Sequence, residues 1–245
     1  MKRVVIKIGT HALTDAEGSI DQGRINAFAE QIMDARAQGV EVIVVSSGAV
    51  SQGRVRVANL QPMSKRAYGA IGQADLIGHY ASAFAARGGR IGQLLLSQRD
   101  FSNKDIYQAF QRTIEELTSA SVVPIVNEND AITNETAATF YDNDSLAIAI
   151  ALAVNASLLL ILSHIDGLYT QDPIHPGAQL ISVVDDVNKE LIRLCAKTTS
   201  GRGSGGMIAK VKAARLACVF GIETVIVNGA IKEVINKVLS GAQIG

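Results

Sequence analysis

Short β-branched runs alternate with segments of helical periodicity along almost the whole chain. Residues 3–8 read RVVIKI and stop at Gly9, which predicts a buried strand with Lys7 near its C-terminal end. Ile25, Phe28, Ala29, Ile32 and Met33 then recur at helical spacing until Gly39, and Val40 to Val45 predicts a second strand running into Ser46, Ser47 and Gly48. After Pro62 a long helix is predicted over about 63–87, with Ala67, Ala70, Ile71, Ala74, Ile77 and Ala81 on one face. Its Gly69, Gly72 and Gly78 are poor helix formers; they suit either the close approach of another helix, from a second subunit for instance, or a crowded core. A third strand at 91–96, a helix marked by Ile106, Phe110, Ile114 and Leu117, and a fourth strand at 122–126 that contains Pro124 follow. A helix at 142–154, a fifth strand at 158–162, an irregular segment at 167–173, a helix around 187–195, a glycine-rich loop at 201–206, a helix to about Phe220 and a strand at 223–227 complete the series. The alternation predicts an α/β protein, a three-layer α/β/α sandwich with a mainly parallel central sheet.

Composition narrows the picture. Hydrophobic residues make up 48% of the 245, aromatics only 4%, and Trp is absent, so the core must be aliphatic, as in helices laid on a parallel sheet. Lys plus Arg and Asp plus Glu both count 23, so no net field draws the protein to nucleic acid or an anionic membrane, and neither is expected as a partner. The most membrane-like stretch, Leu146 to Leu162, is interrupted by Asn155 and Ser157, and the apolar run after Lys2 and Arg3 is too short for a secretory leader. Cys195 and Cys218 provide neither a disulfide framework nor a CxxC site, and a cytoplasmic location is expected.

In open α/β sheets ligands bind beyond the carboxyl ends of the strands. Here those ends carry Lys7 with Gly9 and Thr10, Ser47 with Gly48, Asn127 to Asp130, and Ser163 with His164 and Asp166. Lys7 interrupts an apolar strand; it is either a buried ammonium that needs an anionic partner or a strand-end lysine reaching solvent. Asp142, Asn143 and Asp144 open an apolar helix, where one cap needs fewer acids than are present. With Asp130 meeting an ammonium, and Asn143 and Ser47 a carboxylate, the set suits a small zwitterion. GRGSGG at 201–206 is formally a GxGxxG, but it follows a helix late in the chain, which excludes the dinucleotide fingerprint; it reads as a phosphate-binding helix start with Lys210 one turn on, or as a flexible connector. The four His residues show no ligand spacing, so no protein-held metal is expected.

Six motifs, KIGTHALT from Lys7, VVSSGAVSQG from Val44, VPIVNENDAI from Val123, DNDSLA from Asp142, DGLYTQDP from Asp166 and GSGGMIAKVKAA from Gly203, resemble the amino acid kinase family from end to end. NENDA with DND and GGM is similar to its proline-biosynthetic branch. The resemblance implies one amino acid kinase domain over 1–245, with a glutamate-binding N-terminal half, an ATP-binding C-terminal half and no RNA-binding-like PUA domain. It implies phosphorylation of the γ-carboxylate of L-glutamate by ATP, with Mg²⁺ held mainly by the nucleotide phosphates. Sister kinases acting on acetylglutamate, aspartate or a nucleotide, and a noncatalytic nucleotide-binding relative, are the alternatives. Lys7, Asp144 and Lys210 become the catalytic set; Ser47, Asp130 and Asn143 the substrate contacts; Lys7, Ser163, His164, Ser204, Gly205, Gly206, Met207, Ile208, Ala209 and Lys210 the nucleotide contacts. A homo-oligomer, dimer or tetramer, and proline as feedback inhibitor are further implications. Two departures stand out: His164 occupies a position where Asp is usual, and Tyr141 one where Gly is usual. The chemistry suits this inventory, because a γ-carboxylate, with an ordinary pKa of about 4.3, is already an ionised nucleophile and needs no general base.

Overall fold

All six main apolar runs become strands of one sheet. In the computed structural model, which describes residues 2–132, 142–171, 174–185, 187–189, 191–192 and 206–245, these are β1 (Arg3–Ile8), β2 (Glu41–Val45), β3 (Arg90–Leu96), β4 (Val122–Glu128), β5 (Leu158–Ser163) and β8 (Glu223–Asn228). They lie in the order β3-β4-β2-β1-β5-β8, and every pairing is parallel. A separate antiparallel pair, β6 (Leu168–Tyr169) with β7 (Leu180–Ile181), forms within the irregular segment that follows β5. Pro124 is tolerated in β4 because β2 pairs with β4 only at Ile125 and Val126, so the missing N–H does not break a ladder on both sides.

The period of two along each strand divides the core. Val4, Ile6 and Ile8 of β1, with Val42 and Val44 of β2 and Leu158, Leu160 and Leu162 of β5, face a layer made by α2 (Gln22–Ala37) and α4 (Lys65–Ala85). Val5, Ile43, Val45, Leu159 and Ile161 face the opposite layer, made by α6 (Lys104–Ser119), α7 (Asn143–Ala153) and α8 (Gly206–Val219). The expected sandwich is therefore present. Caps set the helix starts: Asp21 accepts from the N–H groups of Gly23 and Arg24, Ser64 from Ala67, Asn103 from Asp105 and Ile106, and Asp142 from Ser145. No helix among the described residues is long and apolar enough to cross a membrane.

Four short helices have no counterpart in the periodicity: α1 (Thr10–Leu13), α3 (Ala49–Arg56), α5 (Gln98–Ser102) and α9 (Val234–Leu239). Of the predicted helix around 187–195, Lys189, Leu191 and Ile192 are helical and residues 190 and 193–195 lie outside the described residues, as does the glycine loop apart from Gly206, where α8 begins. The α4 glycines separate by use. A Cβ on Gly72 would fall on the carbonyl oxygen of Ala49 and the N–H of Gly53, and one on Gly53 would fall on the carbonyl of Tyr68. These two glycines let α3 and α4 touch backbone to backbone within one chain. Gly78, by contrast, has nothing within 4 Å of where a Cβ would stand.

This contrast makes a stability prediction. Gly72→Ala should destabilise the protein by about 1–3 kcal/mol or more, since backbone cannot yield as a side chain can, whereas Gly78→Ala should stabilise it by roughly 0.5–1 kcal/mol through helix propensity. Urea unfolding midpoints of the two variants would then move in opposite directions; a shared direction would refute the assignment of Gly72 to the α3–α4 crossing.

Candidate active site

Asp144 is the deepest charged group at the C-terminal edge of the sheet, and both of its carboxylate oxygens are used. Lys7 Nζ lies 2.8 Å from Oδ1 and Lys210 Nζ donates to Oδ2 at 2.8 Å. Each of the three comes from a different element. Lys7 shares the face of β1 on which Val5 sits, which is the face covered by α7; Asp144 stands in the first turn of α7; Lys210 stands in the second turn of α8, which packs beside α7. The side chains of Lys7, Asp144 and Lys210 are 9%, 2% and 10% exposed, so the resemblance's catalytic set is a buried cluster. Burial alone would push the Asp144 carboxyl up; the charges of Lys7 and Lys210 and their hydrogen bonds outweigh it and hold the group below the usual carboxylate range. Two ammoniums against one carboxylate leave a net positive charge where the N-termini of α7 and α8 add their partial charge, a site for an anion. Gly9 belongs to it through close approach: a Cβ there would stand 3.5 Å from Lys7 Nζ and 3.1 Å from the Leu162 carbonyl.

The second half of the site lies on the other side of the α7 start. Asn143 Nδ2 donates to the Ser46 carbonyl at 2.7 Å, to Ser47 Oγ at 2.7 Å and to Asn127 Oδ1 at 3.1 Å. Asn127 Oδ1 also accepts from the Glu128 N–H, and its Nδ2 donates to Gln73 Oε1 of α4 at 2.7 Å. The acceptor-only carbonyl of Ser46 fixes which way the Asn143 amide points. In this arrangement the two Asn143 N–H groups are shared among three internal acceptors, so a ligand carboxylate would have to displace one of them, and Oδ1 is the atom left open. Ser47 accepts from Asn143 and so keeps its hydroxyl proton for a ligand. Gly48, at φ 99°, turns the chain out of the Ser46–Ser47 segment into α3.

Asp130 and Glu128 help line a cavity of about 260 Å³ with Gly69, Gln73 and Gln93. Asp130 packs so closely on α4 that a Cβ on Gly69 would lie 2.6 Å from its own Cβ. Burial raises its carboxyl above the usual range, although Lys65, 3.8 Å away, pulls the other way. Lys65, exposed in the first turn of α4, escapes sequence reading because a lysine after a Ser64 cap looks like any solvated helix start.

Ser163 is buried at the end of β5, its carbonyl accepting from the Gly229 N–H. His164 is exposed, and its ring meets the ring of His11 from α1 edge to face, with centroids 5.3 Å apart and planes at 64°. His11 is a neighbour that sequence reasoning missed, since α1 itself gave no signal. Gly206, Met207, Ile208 and Ala209 form the first turn of α8 ahead of Lys210, with Met207 and Ile208 packed against Leu168 and Val211. Ser204, Gly205 and Tyr141 lie outside the described residues.

A parallel α/β sandwich with a lysine–carboxylate–lysine cluster beyond its strands is the framework of a phosphate-handling protein. The chain belongs to the amino acid kinase family, whose profile matches residues 2–228. It is similar to the glutamate 5-kinase of Myxococcus xanthus, at 41% identity over all of this chain and 66% of that protein. The glutamate 5-kinase of Symbiobacterium thermophilum is 39% identical, with 100% of this chain and 94% of the relative covered. The chain thus spans about two thirds of the length of the first relative and nearly all of the second. Among solved structures, UMP kinase from Bacillus anthracis superposes with a TM-score of 0.68 at 16% identity, covering 100% of this chain and 94% of that one. Carbamate kinase from Giardia lamblia gives 0.68 at 18% identity, covering 99% and 97%. At such identities these two likenesses establish the fold.

The cluster makes a stability prediction. Asp144→Asn leaves two buried ammoniums facing a neutral amide and should cost about 3–5 kcal/mol at neutral pH. Because the folded pKa of Asp144 lies below its unfolded value, its contribution is present above the ordinary carboxylate range and is lost as pH falls through the folded value. Urea titrations should therefore show the gap between wild type and Asp144→Asn closing on acidification; a gap independent of pH would overturn the charge-pair account.

Proposed function

We propose that the protein is an ATP-dependent kinase that phosphorylates the γ-carboxylate of L-glutamate, giving L-glutamyl 5-phosphate and ADP, the first step toward proline. The observation that carries this reading is the placement, on one helix start, of a buried Lys7–Asp144–Lys210 cluster next to Asn143, which is bonded to Ser47. The names of the curated relatives support the same substrate, and the AMP-PNP bound to the Giardia carbamate kinase supports a nucleotide on this fold.

A γ-carboxylate oxygen attacks the γ-phosphorus, the bond to the β,γ-bridging oxygen breaks, and ADP leaves with that electron pair. Lys7 and Lys210 face the charge that spreads over the transferring phosphoryl group, which is where a fixed cation is worth most. Asp144 holds the two ammoniums in place and keeps them from repelling one another. With both oxygens engaged by lysines, Asp144 has no strong claim on Mg²⁺, and the ion fits as a passenger of the nucleotide phosphates, where it supplies further charge neutralisation. Ser163, the His11–His164 pair and the first turn of α8 form the nucleotide side. A homo-oligomer and inhibition by proline belong to the same reading and are measured by light scattering and by inhibition kinetics.

A coupled assay of ADP release across glutamate, acetylglutamate, aspartate and UMP tests the proposal: turnover on glutamate is expected, and preference for another acceptor would assign a sister reaction. Lys7→Ala and Lys210→Ala should each lower kcat by about 10²–10³ with little change in the KM for glutamate. A near wild-type kcat in either variant would remove that lysine from the chemistry. Asp130→Ala should instead raise the KM for glutamate strongly and that for ATP little, since an ammonium loses its carboxylate partner; equal weakening of both substrates would point to collapse of the site.

His164→Asp restores the charge usual at that position and breaks the ring contact with His11. It should alter the KM for ATP, or the choice between ATP and GTP, while glutamate kinetics hold. Unchanged constants for both nucleotides would leave His164 outside the site.

A further inference from the structure

We propose that Lys65 is the receptor for the α-carboxylate of the amino acid substrate, so that the Lys65–Asp130 ion pair reads the zwitterionic end of glutamate as a unit. The inference rests on the glutamate kinase reading and assigns a substrate contact that the motifs do not supply.

The argument starts from what the pocket's other groups can no longer do. The two Asn143 N–H groups already serve Ser46, Ser47 and Asn127, so Asn143 would donate to a carboxylate only by giving up one of these bonds. Lys7 and Lys210 are both fixed on Asp144 and belong to the phosphoryl side. Ser47 offers a single hydroxyl proton. A carboxylate leaving water needs more compensation than one neutral donor gives. Lys65 provides it from beside Asp130: its Nζ stands 3.8 Å from Asp130 Oδ1, and Asp130 helps line the cavity with Gly69.

Geometry then couples the two charges. In any α-amino acid the ammonium and the carboxylate hang from the same carbon. An ammonium placed on Asp130 therefore carries its own carboxylate to within reach of a cation already beside Asp130. Without substrate, Lys65 holds the locus that the ammonium will take; on binding it exchanges the Asp130 carboxylate for that of the substrate. The move is a small one for a side chain that is 55% exposed on a flexible stem. The result is an alternating row of four charges, Asp130, ammonium, α-carboxylate and Lys65. It selects an amino acid whose α-carboxylate is free.

The test compares glutamate with its α-amide, which keeps the ammonium and the γ-carboxylate but lacks the α-charge. Wild type should prefer glutamate in kcat/KM by at least about tenfold, the scale of one hydrogen bond to a charged group. Lys65→Met should raise the KM for glutamate by about tenfold and bring the preference close to one, the effect falling on that KM and not on kcat or the KM for ATP. Lys65→Arg should recover most of the preference. Lys65 is exposed, so the substitutions leave the core untouched, and circular dichroism melts of the variants should overlay that of wild type. Glutamate turnover with an unchanged KM and an unchanged preference in Lys65→Met would overturn the role of Lys65 while leaving the kinase reading intact. Absence of glutamate turnover in wild type would overturn both.

Discussion

One carboxylate between two lysines decides how this molecule is built around its chemistry. Asp144 is almost wholly removed from water, and a single buried charge of that kind would cost several kcal/mol if it stood alone. Lys7 cannot be buried without Asp144, nor Lys210, and Asp144 cannot be ionised there without them. The three elements that carry them are therefore bound to one another by electrostatics at the edge of the sheet, as well as by the aliphatic layer behind it. Such a cluster adds less to net stability than an apolar replacement would, which is the reason to read it as retained for its charge.

Topology explains why the three meet. The chain lays β2, β3 and β4 on one side of β1 and β5 and β8 on the other, so the connection from β4 to β5 must cross β2 and β1. That crossing is α7. Its N-terminus falls beyond the carboxyl ends of the central strands, next to the C-terminal end of β1, where the period of two has already turned Lys7 to the same face. The buried Lys7 is thus a product of strand alternation, and its partner a product of strand order.

The strands were legible in the sequence because each is a short, mainly apolar run between turn residues, and in the inner strands β1, β2, β4 and β5 burial on both faces leaves little polar alternation to confuse the period. Of the helices missed, α1, α3 and α9 begin without a side-chain cap, while α5 starts at Ser97 paired with Asp100 but has only 5 residues. For example, α3 starts from left-handed Gly48 and α9 from left-handed Glu233. Both are also too short for a helical period to show. Lys7 was legible as a charge inside an apolar strand. Asp144 was visible only as one of two acids at a helix start, since periodicity alone cannot say which acid caps and which faces the site. The bonds of Asn143 to Ser46 and Ser47, the nearness of Lys65 to Asp130 and the contact of His11 with His164 link residues 65 or more positions apart, and no local pattern encodes them.

The start of α7 resolves the ambiguity of its three polar residues by giving each a different direction. Asp142 is not yet helical, and its carboxylate accepts from the Ser145 N–H and hydroxyl, the bonds of a cap. Successive helical residues are turned by about 100°, so Asn143 and Asp144 cannot serve one partner. Asn143 turns to Ser46, Ser47 and Asn127 at the ends of β2 and β4, and Asp144 to Lys7 and Lys210 beneath β1 and α8. The two halves of the site are consequently separated by one residue of a single capped helix. Their spacing is fixed by backbone geometry, and in-line transfer between a carboxylate and a phosphoryl group needs positioning of that kind.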